Sequence, residues 1–310
     1  MDRSIITVTL NPSIDVTLWT DGLDIDNVNR VVRENLEAGG KGINVSRVAK
    51  SFGAPTICIS VAGRENCREF SDLLDSERLE YRLIEIEDAI RENLTIRHGG
   101  YTLKINRKGP AAPPTVIDEL CSLIRSCVKP GDIAAFAGSI PENIPVEDYI
   151  KLILQVKDLG ALIAIDSDFL SLEHYARLSP WLIKPNIHEL RRIVEPGGES
   201  VDDITNAAYE LCKNGVENVL VSLGANGLIY LSERTAVRAS VPKVEVKSTV
   251  GAGDSALAGF AVAFLDNKDI IESVRLAAAC GTACVMREGT GLASPELAQK
   301  IVSKVKVGRI

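Results

Sequence analysis

Three observations predict an α/β fold built on a doubly wound, mostly parallel β-sheet flanked by helices. Apolar runs of strand length alternate with runs of helix length along most of the 310 residues, a pattern typical of βαβ units. Hydrophobic residues make up 45% of the chain, which is enough to bury one large core. Polar and glycine-rich motifs follow several strand-like runs, at the edge where open α/β sheets bind ligands.

The apolar runs define the elements in chain order. The shorter runs predict strands at residues 5–10, 56–61, 132–137, 161–166, 181–184, 218–222 and 227–231, with a further strand-like alternation at Val241, Val244 and Val246. The longer runs predict helices at residues 42–52, 67–76, 115–127, 146–159, 202–214, 255–265, 270–286 and 295–305. Helices that alternate with parallel strands in this way should cover both faces of the sheet.

Two segments, residues 16–34 and 84–107, depart from this alternation. They carry short alternating runs with little helical signal, namely T-L-W-T, V-N-R-V-V-R, L-T-I-R and Y-T-L-K-I-N. The H-G-G-Y sequence at 98–101 predicts a hairpin turn. We interpret the regions of about 12–36 and 84–108 as strands of a small second sheet that projects from a single domain, residues 1–310. Such a sheet cannot bury both faces alone, so it should cover a ligand, pair with another subunit, or do both.

Composition and charge argue against several classes of function. The 35 basic and 42 acidic residues give a net charge of −7, and no long basic run suggests nucleic acid as the main partner. The seven cysteines show no C-x-x-C spacing, so we expect buried, reduced thiols rather than a zinc site or disulfides. The N-terminal run is typical of a strand rather than a signal peptide, and no apolar stretch is long enough to span a bilayer. We therefore expect a soluble cytoplasmic protein.

The stretch T-V-G-A-G-D at 249–254 is the most informative candidate for chemistry. Two glycines in a turn that leads into a helix let the backbone come close to a ligand. The unpaired N–H groups and partial positive charge at the helix N-terminus suit a phosphoryl group. Gly251, Ala252 and Gly253 would supply those N–H groups, and Asp254 would take a proton from an attacking hydroxyl. Taken alone, Asp254 is equally well explained as an N-cap.

Further motifs lie at predicted strand ends. They are N-P-S-I-D at 11–15, G-G-K-G-I-N at 39–44, G-S-I-P at 138–141, K-P-N-I-H-E-L at 184–190 and S-L-G-A-N-G at 222–227. With G-A-G-D, this set resembles the ribokinase-like (PfkB) carbohydrate kinases over essentially the whole chain. T-L-N-P-S-I-D, the R-x-N at 91–93, K-I-N-x-x-G-P at 104–110 and the ending V-K-V-G-R-I look most like bacterial 1-phosphofructokinases, with tagatose-6-phosphate kinases as close neighbours. The resemblance implies a ribokinase-like fold with the small sheet as a lid.

At the sugar, the chemistry of single residues supports the resemblance. The Asp15 carboxylate can accept hydrogen bonds from two sugar hydroxyls, with an Asx-turn as the alternative. Gly39 and Gly40 would let the backbone approach the sugar, and Asn44 can both donate to and accept from hydroxyls. Lys41 would neutralise a substrate phosphate, or would only extend its stem along the start of the helix.

For the substrate phosphate, the resemblance implies a contact from Arg91. The planar fork of a guanidinium group pairs bidentately with phosphate oxygens, so arginine suits that role. Asn93 and Ser139 would add neutral hydrogen bonds. Arg30 is a second candidate phosphate contact, with an exposed strand arginine as the alternative.

The N-x-x-E motif, Asn186 and Glu189, would bind Mg²⁺ through water. Its i, i+3 spacing puts an amide and a carboxylate on one helical face, and Mg²⁺ prefers hard oxygen ligands and keeps several waters. A plain helix-start pair would look similar. The resemblance assigns ATP contacts to Lys184, Asn186, Ser222, Gly224, Gly227, Gly251 and Gly253, although an ordinary hairpin would also explain the turn at 222–227.

The resemblance implies a kinase that uses ATP and Mg²⁺ to phosphorylate a ketose phosphate. Fructose 1-phosphate is the leading substrate, with tagatose 6-phosphate and fructose 6-phosphate as alternatives. A non-catalytic sugar-phosphate sensor is an alternative of another class, and a nucleoside kinase is disfavoured because Arg91 and Lys41 suggest a phosphorylated substrate. Lys104 and the proline-rich loop 109–114 depart from the 1-phosphofructokinase pattern, which leaves the sugar phosphate open.

The small sheet also predicts a homodimer. T-L-W-T at 17–20 and Y-T-L-K-I at 101–105 are expected to place bulky apolar residues on alternate strand positions. One face of the sheet would then lie over the sugar, and no helix is assigned to the apolar face. A second copy presenting the same face would cover it.

Overall fold

The computed structural model describes residues 3–198 and 200–310, and strands and helices alternate along them as the apolar runs predict. The strands are β1 (Ile5–Thr9), β2 (Ser13–Thr20), β3 (Val31–Gly39), β4 (Thr56–Gly63), β5 (Tyr81–Ile86), β6 (Arg91–His98), β7 (Tyr101–Asn106), β8 (Ile133–Ala137), β9 (Leu162–Asp166), β10 (Leu182–Ile183), β11 (Asn218–Ser222), β12 (Leu228–Ser232), β13 (Thr235–Ser240) and β14 (Lys306–Arg309). The helices are α1 (Lys41–Ser51), α2 (Cys67–Ser76), α3 (Val116–Cys127), α4 (Val146–Lys157), α5 (Leu172–Leu178), α6 (Ile187–Ile193), α7 (Val201–Lys213), α8 (Ala252–Leu265), α9 (Ile270–Val285) and α10 (Pro295–Val302).

The larger sheet has the strand order β14-β13-β12-β11-β10-β9-β8-β1-β4-β5. Neighbouring strands from β5 to β11 are parallel, whereas β12, β13 and β14 are antiparallel additions at one edge. The central strands β1 and β8 are buried at every residue, because helices cover both faces of the sheet. Their sequences are therefore apolar or β-branched throughout, and the predicted doubly wound sheet is confirmed.

Helix α8 is held rigidly in the layer that covers one face of the sheet. It packs between α1 and α9, and residues 254–263 are all buried. Small residues allow this close packing, since a Cβ at Gly259 would lie 2.8 Å from the sulfur of Cys280. The packing fixes the position of the G-A-G-D turn at the N-terminus of α8.

The small sheet is confirmed, with the strand order β3-β2-β6-β7. Gly99 and Gly100 connect β6 to β7 with φ angles of 51° and 94°, which are those of the type I′ hairpin turn that H-G-G-Y predicts. The register between β2 and β6 pairs Asp15 with Asn93, and these two residues lie on the polar face of the small sheet. The opposite face is apolar, as the pairing of Ile96 with Leu103 shows.

The base of the small sheet is attached to the body of the protein, while its outer half is exposed. Ile14 and Ala38 pack with Phe70 of α2 in a separate apolar cluster. Farther out, Tyr101 is 74% exposed and Leu103 is 46% exposed. The outer apolar face is therefore not covered by any described part of the chain.

The structure corrects the boundaries of the small sheet. Residues 84–86, which the sequence analysis places in it, belong to β5, which pairs in parallel with β4 at the edge of the large sheet. Ile84 and Ile86 are buried in the main core on the side of α3, which explains their place there. The first segment extends beyond residue 36, because β3 continues to Gly39.

The expected alternation in T-L-W-T is wrong. Leu18 and Trp19 are adjacent in β2, so they face opposite sides of the sheet. Trp19 lies on the polar face, where the Arg33 guanidinium is 4.2 Å from the ring centroid. The alternation in β7 is as expected, since Tyr101, Leu103 and Ile105 are all exposed large apolar residues.

The predicted strand-like alternation at 241–246 is also wrong, since these residues have no regular secondary structure. Pro242 lacks an N–H donor for a sheet, and Val241, Val244 and Val246 line a cavity instead. Strand β13, the terminal strand β14 and the short helix α5 were not predicted from the sequence. The cysteines are free thiols, and all except Cys67 and Cys127 are buried. Within the described residues, none of the helices is long and apolar enough to cross a membrane.

Candidate active site

A cavity of about 1010 Å³ lies where β1, β9, β10 and β11 end, between the small sheet and the N-terminus of α8. Most of the predicted site residues line it, although they come from distant parts of the chain. They are Asp15, Gly40, Lys41, Asn44, Arg91, Asn93, Lys184, Asn186, Glu189, Ser222, Gly224, Gly227, Gly251, Ala252, Gly253 and Asp254. Gly39 and Ser139 are not lining residues; Gly39 packs against Asp15, and Ser139 contacts Asn11.

Asp254 sits in the first turn of α8 and is only 6% exposed. Its Oδ2 accepts a hydrogen bond of 2.8 Å from Nδ2 of Asn44. Burial raises the pKa of Asp254 to about 6, and the negative charge of Asp166 adds to the rise, while the Asn44 hydrogen bond and the lysines 41 and 184 oppose it. A carboxylate with a pKa in this range can take and release a proton near neutral pH.

Both glycines of the G-A-G-D turn are required by their surroundings. Gly251 caps α8 with a φ of 75°, and a Cβ there would lie 2.5 Å from Cδ2 of Leu292. A Cβ at Gly253 would lie 2.8 Å from Nζ of Lys184. The turn therefore lies directly against a lysine. The first N–H groups of the helix lie beside it, and that of Ala252 donates a long hydrogen bond of 3.5 Å to the Thr249 carbonyl oxygen.

Asp166 is a site residue that the sequence analysis missed. It ends β9, is buried, and binds Nζ of Lys41 at 2.8 Å and Nζ of Lys184 at 3.1 Å. Burial alone would raise the pKa of Asp166, but the charges of Lys184 and Lys41 hold it below its ordinary value. An acid as the last residue of a predicted central strand was the available signal, because ligands bind at that edge of the sheet.

The Lys41 side chain contacts acids at the ends of β9 and α6 rather than the small sheet. Besides Asp166, its Nζ lies 3.8 Å from Oε1 of Glu189. Burial alone would lower the pKa of Lys41, but the charges of Asp166, Glu189 and Asp254 raise it above its ordinary value. The Lys41 side chain is therefore protonated and positively charged at neutral pH.

Asn186 and Glu189 are close together, as their spacing predicts, and they form a capping box at the start of α6. The Glu189 N–H donates to Oδ1 of Asn186, and the Asn186 N–H donates to Oε2 of Glu189. Oε1 of Glu189 points to Lys41 instead. No group of three metal-ligating side chains occurs in the part of the chain that the structure describes. The amide oxygen of Asn186 and the carboxylate oxygens of Glu189 are hard donors, the kind that Mg²⁺ accepts directly or through its waters.

At the sugar end, the small sheet contributes a network centred on Asp15. Its Oδ1 accepts hydrogen bonds from Oγ of Ser13 at 2.7 Å and from Nδ2 of Asn93 at 3.0 Å. Oδ1 of Asn93 is buried without a hydrogen-bond partner. Gly39 makes room for this network, since a Cβ there would lie 2.5 Å from both carboxylate oxygens of Asp15. That reason differs from the predicted approach of the Gly39 backbone to the sugar.

Arg91 joins the small sheet to the end of β1. It donates hydrogen bonds to the carbonyl oxygens of Asn11 at 3.0 Å, Pro12 at 3.3 Å and Arg107 at 3.1 Å. Two of its five N–H donors remain for a ligand. Ser139 accepts a hydrogen bond from Nδ2 of Asn11 at 3.1 Å, which places it behind this contact.

The other end of the cavity is an apolar slot that the sequence analysis did not find. Its walls are the irregular segment 241–246 and one face of α9, and the residues are Val241, Pro242, Val244, Val246, Ala277, Ala278, Gly281, Thr282 and Val285. The turn at 224–227, with φ of 58° at Gly224 and 91° at Gly227, forms the rim. The run A-A-A-C-G-T-A in α9 was the available signal, because small residues leave space beside a helix.

The chain belongs to the PfkB family of carbohydrate kinases. The model of that family, described as "pfkB family carbohydrate kinase", matches residues 6–297. This span includes the small sheet and every residue that lines the cavity. The family predicted from the sequence motifs is therefore confirmed.

Two curated relatives match along nearly their whole length. The 1-phosphofructokinase of Bacillus subtilis is 31% identical over 306 residues, which cover 99% of this chain and 100% of the relative. The tagatose-6-phosphate kinase of Staphylococcus epidermidis is 29% identical, with 98% and 99% covered.

Solved structures show the same architecture. Phosphofructokinase-2 from Escherichia coli in complex with potassium has a TM-score of 0.91 and 29% identity, with 98% of this chain and 99% of that chain covered. Arabidopsis thaliana ribokinase, at 21% identity, has a TM-score of 0.75, with 97% and 99% covered. The predicted ribokinase-like fold is confirmed.

Proposed function

We propose that this protein is a kinase that transfers the γ-phosphoryl group of ATP to a hydroxymethyl group of a ketose phosphate, with fructose 1-phosphate as the leading acceptor and fructose 1,6-bisphosphate as its product. The observation that carries the proposal is the buried Asp254, whose pKa is raised to about 6. It lies at the start of α8, between a polar and an apolar end of one cavity. A base at this point can serve an acceptor on one side and a nucleotide on the other.

Asp254 would accept the proton of the attacking hydroxyl, a contribution of roughly 10² to 10⁴ in rate. The N–H groups of residues 251–254 and the dipole of α8 would stabilise charge on the transferred phosphoryl group, which is the larger part of catalysis in such reactions. Lys41 lies with Glu189 and Asp166, so we assign it to the transferred phosphoryl group rather than to the substrate phosphate.

The sugar end supports a phosphorylated acceptor. Oδ2 of Asp15 and the unpartnered Oδ1 of Asn93 would accept hydrogen bonds from sugar hydroxyls. The two remaining N–H donors of Arg91 would bind the phosphate already on the substrate. Phosphofructokinase-2 from Escherichia coli has been solved in complex with fructose-6-phosphate, and the curated relatives are named for two other ketose phosphates. These observations support a ketose phosphate as the acceptor, with tagatose 6-phosphate and fructose 6-phosphate as the alternatives to fructose 1-phosphate.

ATP would place its adenine in the apolar slot between residues 241–246 and α9. The phosphates would extend past the turn at Gly224 and Gly227 towards Lys184 and the N-terminus of α8. Arabidopsis thaliana ribokinase, which shares the fold, has been solved with ribose and ATP. Mg²⁺, held through water by Asn186 and Glu189, would neutralise part of the phosphate charge.

The apolar outer face of the small sheet supports a homodimer in which two such faces pack together. Tyr101, Leu103 and Ile105 are exposed on this face, and β3 and β7 are the edge strands. A two-fold partner would bury the face and shield the strands from uncontrolled pairing. The sheet would then close over the sugar and exclude water, so that ATP is not hydrolysed.

The test is ATP turnover with a panel of phosphorylated and free ketoses. Turnover that requires a ketose phosphate, fastest with fructose 1-phosphate, is the expected result. Preference for tagatose 6-phosphate or fructose 6-phosphate would change the acceptor and keep the reaction. Sugar-phosphate binding with no ATP consumption would overturn the proposal and favour a sensor.

A further inference from the structure

Asp166 occupies a position between two lysines that the reaction described above does not by itself explain. Its backbone is fixed on both sides, since its carbonyl accepts a hydrogen bond from the Gly138 N–H at 2.9 Å and the neighbouring Ile165 carbonyl accepts from the Lys184 N–H at 3.2 Å. The backbone that carries the carboxylate is therefore fixed. Each of its oxygens faces one lysine, Oδ1 to Lys41 and Oδ2 to Lys184.

The two lysines differ in their surroundings. The Lys184 side chain is 4% exposed and lies under Gly253, where it touches the turn that begins α8. The Lys41 side chain is 35% exposed, so its ammonium group can reach a ligand in the cavity. Lys184 therefore packs against the G-A-G-D turn, whereas Lys41 faces the cavity beside the turn.

We propose that Asp166 is a positioning residue for phosphoryl transfer, which holds Lys184 against the G-A-G-D turn and Lys41 in front of it. This inference rests on the proposed function. An unpaired buried ammonium group is costly, so without Asp166 the Lys184 side chain would turn towards other acceptors and leave the turn. Lys41 would retain Glu189 as a partner at 3.8 Å but would lose its closest one.

The charge balance predicts opposite effects on binding and on rate. Removing the acid leaves both lysines positive and adds net positive charge to the cavity, which favours binding of the ATP polyanion. The same change lets the ammonium groups move from their positions, which lowers the rate. A purely structural role would instead weaken nucleotide binding and rate together.

The experiment compares wild type with Asp166→Asn, which keeps the shape and removes the charge. The kcat should fall roughly 10²-fold, as for the loss of one preorganised electrostatic contact, while the Kd for ATP measured by calorimetry stays the same or decreases. Asp132→Asn is the matched control, since Asp132 is 1% exposed at the opposite end of the parallel strands and its carboxylate accepts hydrogen bonds from the backbone N–H groups of Ser4 and Lys129. Its kcat should be unchanged.

A second variant guards against a failure to fold. The double variant with Asp166→Asn and Lys184→Met buries two neutral side chains, so it should fold. Its kcat should be close to that of Asp166→Asn alone, because Lys184 has already lost its position in the single variant. A kcat of Asp166→Asn within about threefold of wild type, or a parallel loss of kcat and ATP affinity, would overturn the inference. Absence of turnover in wild type would instead refute the proposed function. The ATP Kd of the variant would then decide the inference, and a weaker Kd would reject it.

Discussion

Nδ2 of Asn44 donates a hydrogen bond of 2.8 Å to Oδ2 of Asp254, and this contact joins two motifs that are 210 residues apart in the chain. Asn44 lies on α1, in G-G-K-G-I-N, and Asp254 lies on α8, in G-A-G-D. Because α1 and α8 pack side by side, the two motifs form one site. The contact also orients the carboxylate, which leaves Oδ1 to take a proton.

Asp254→Asn should lower kcat by at least two orders of magnitude while ATP binding remains nearly intact. The substitution removes the proton acceptor and keeps its shape and its contact with Asn44. Steady-state kinetics and calorimetry with ATP measure the two effects. A variant that retains more than about a tenth of the wild-type kcat would exclude Asp254 as the base.

The pH dependence follows from the raised pKa of Asp254, which burial moves from 3.8 to about 6. The base must be ionised, so kcat/KM should fall as the pH drops through about 6. The groups that face Asp254 are Asn44, Lys41, Asp166, Lys184 and Cys284. An acidic limb centred near pH 4 instead would contradict the assignment.

The same pKa predicts an effect on stability. The pKa of Asp254 is higher in the folded state than in the unfolded state. The contribution of this pKa difference to the free energy of unfolding is therefore fully present below about pH 4 and is lost as the pH rises through 6. Asp254→Asn should therefore have a higher Tm than wild type at pH 8, and the difference should shrink towards pH 5. Calorimetric melting at both pH values measures it. A lower Tm at pH 8 would contradict the prediction.

The site could be predicted only where a residue type itself carries the chemistry. Asp254, Asn186 and Arg91 stand in motifs that resemble those of a known family, and strand ends bring them together, although Asp254 and Asn186 taken alone would also fit ordinary helix starts. Asp166 was missed because it stands in none of the recognised motifs, so that its place as the last residue of an apolar strand was the only signal in the sequence. The predicted strand at Val241, Val244 and Val246 was wrong because a strand-like spacing of apolar side chains does not show whether they face one side of a sheet or, as here, a cavity.

Arg91→Ala should raise the KM for the sugar phosphate far more than the KM for ATP. Loss of a charge-assisted phosphate contact costs about 1.5 to 3 kcal/mol. Because Arg91 also holds three backbone carbonyls, the variant should melt at a lower temperature. Arg91→Lys is the matched variant, which keeps the charge and loses the fork. An unphosphorylated ketose that is an equal or better substrate for wild type would refute the phosphate contact.

Gly39→Ala should weaken sugar binding, while the Tm and the affinity for ATP should change much less. Its Cβ would need the space of the Asp15 carboxylate, 2.5 Å away, so Asp15 would move from its partners Ser13 and Asn93. The KM for the sugar phosphate should rise roughly tenfold, as for the loss of about one hydrogen bond to a charged group. Gly22→Ala is the control, since nothing lies within 4 Å of its Cβ position. Equal kinetics for the two variants would show that Asp15 does not bind the sugar.

Light scattering at micromolar concentration should give a mass of twice the 33.4 kDa chain. The apolar face carries Tyr101, Leu103 and Ile105, of which Leu103 pairs with Ile96 at its centre. Leu103→Glu should produce a monomer with reduced activity, because an unpaired carboxylate in a dimer interface is costly. Tyr209→Glu changes another exposed apolar residue, which lies on α7, and should leave the dimer intact. A wild-type mass near 33.4 kDa with full activity would show that the small sheet is only a lid, and that its apolar face needs no partner.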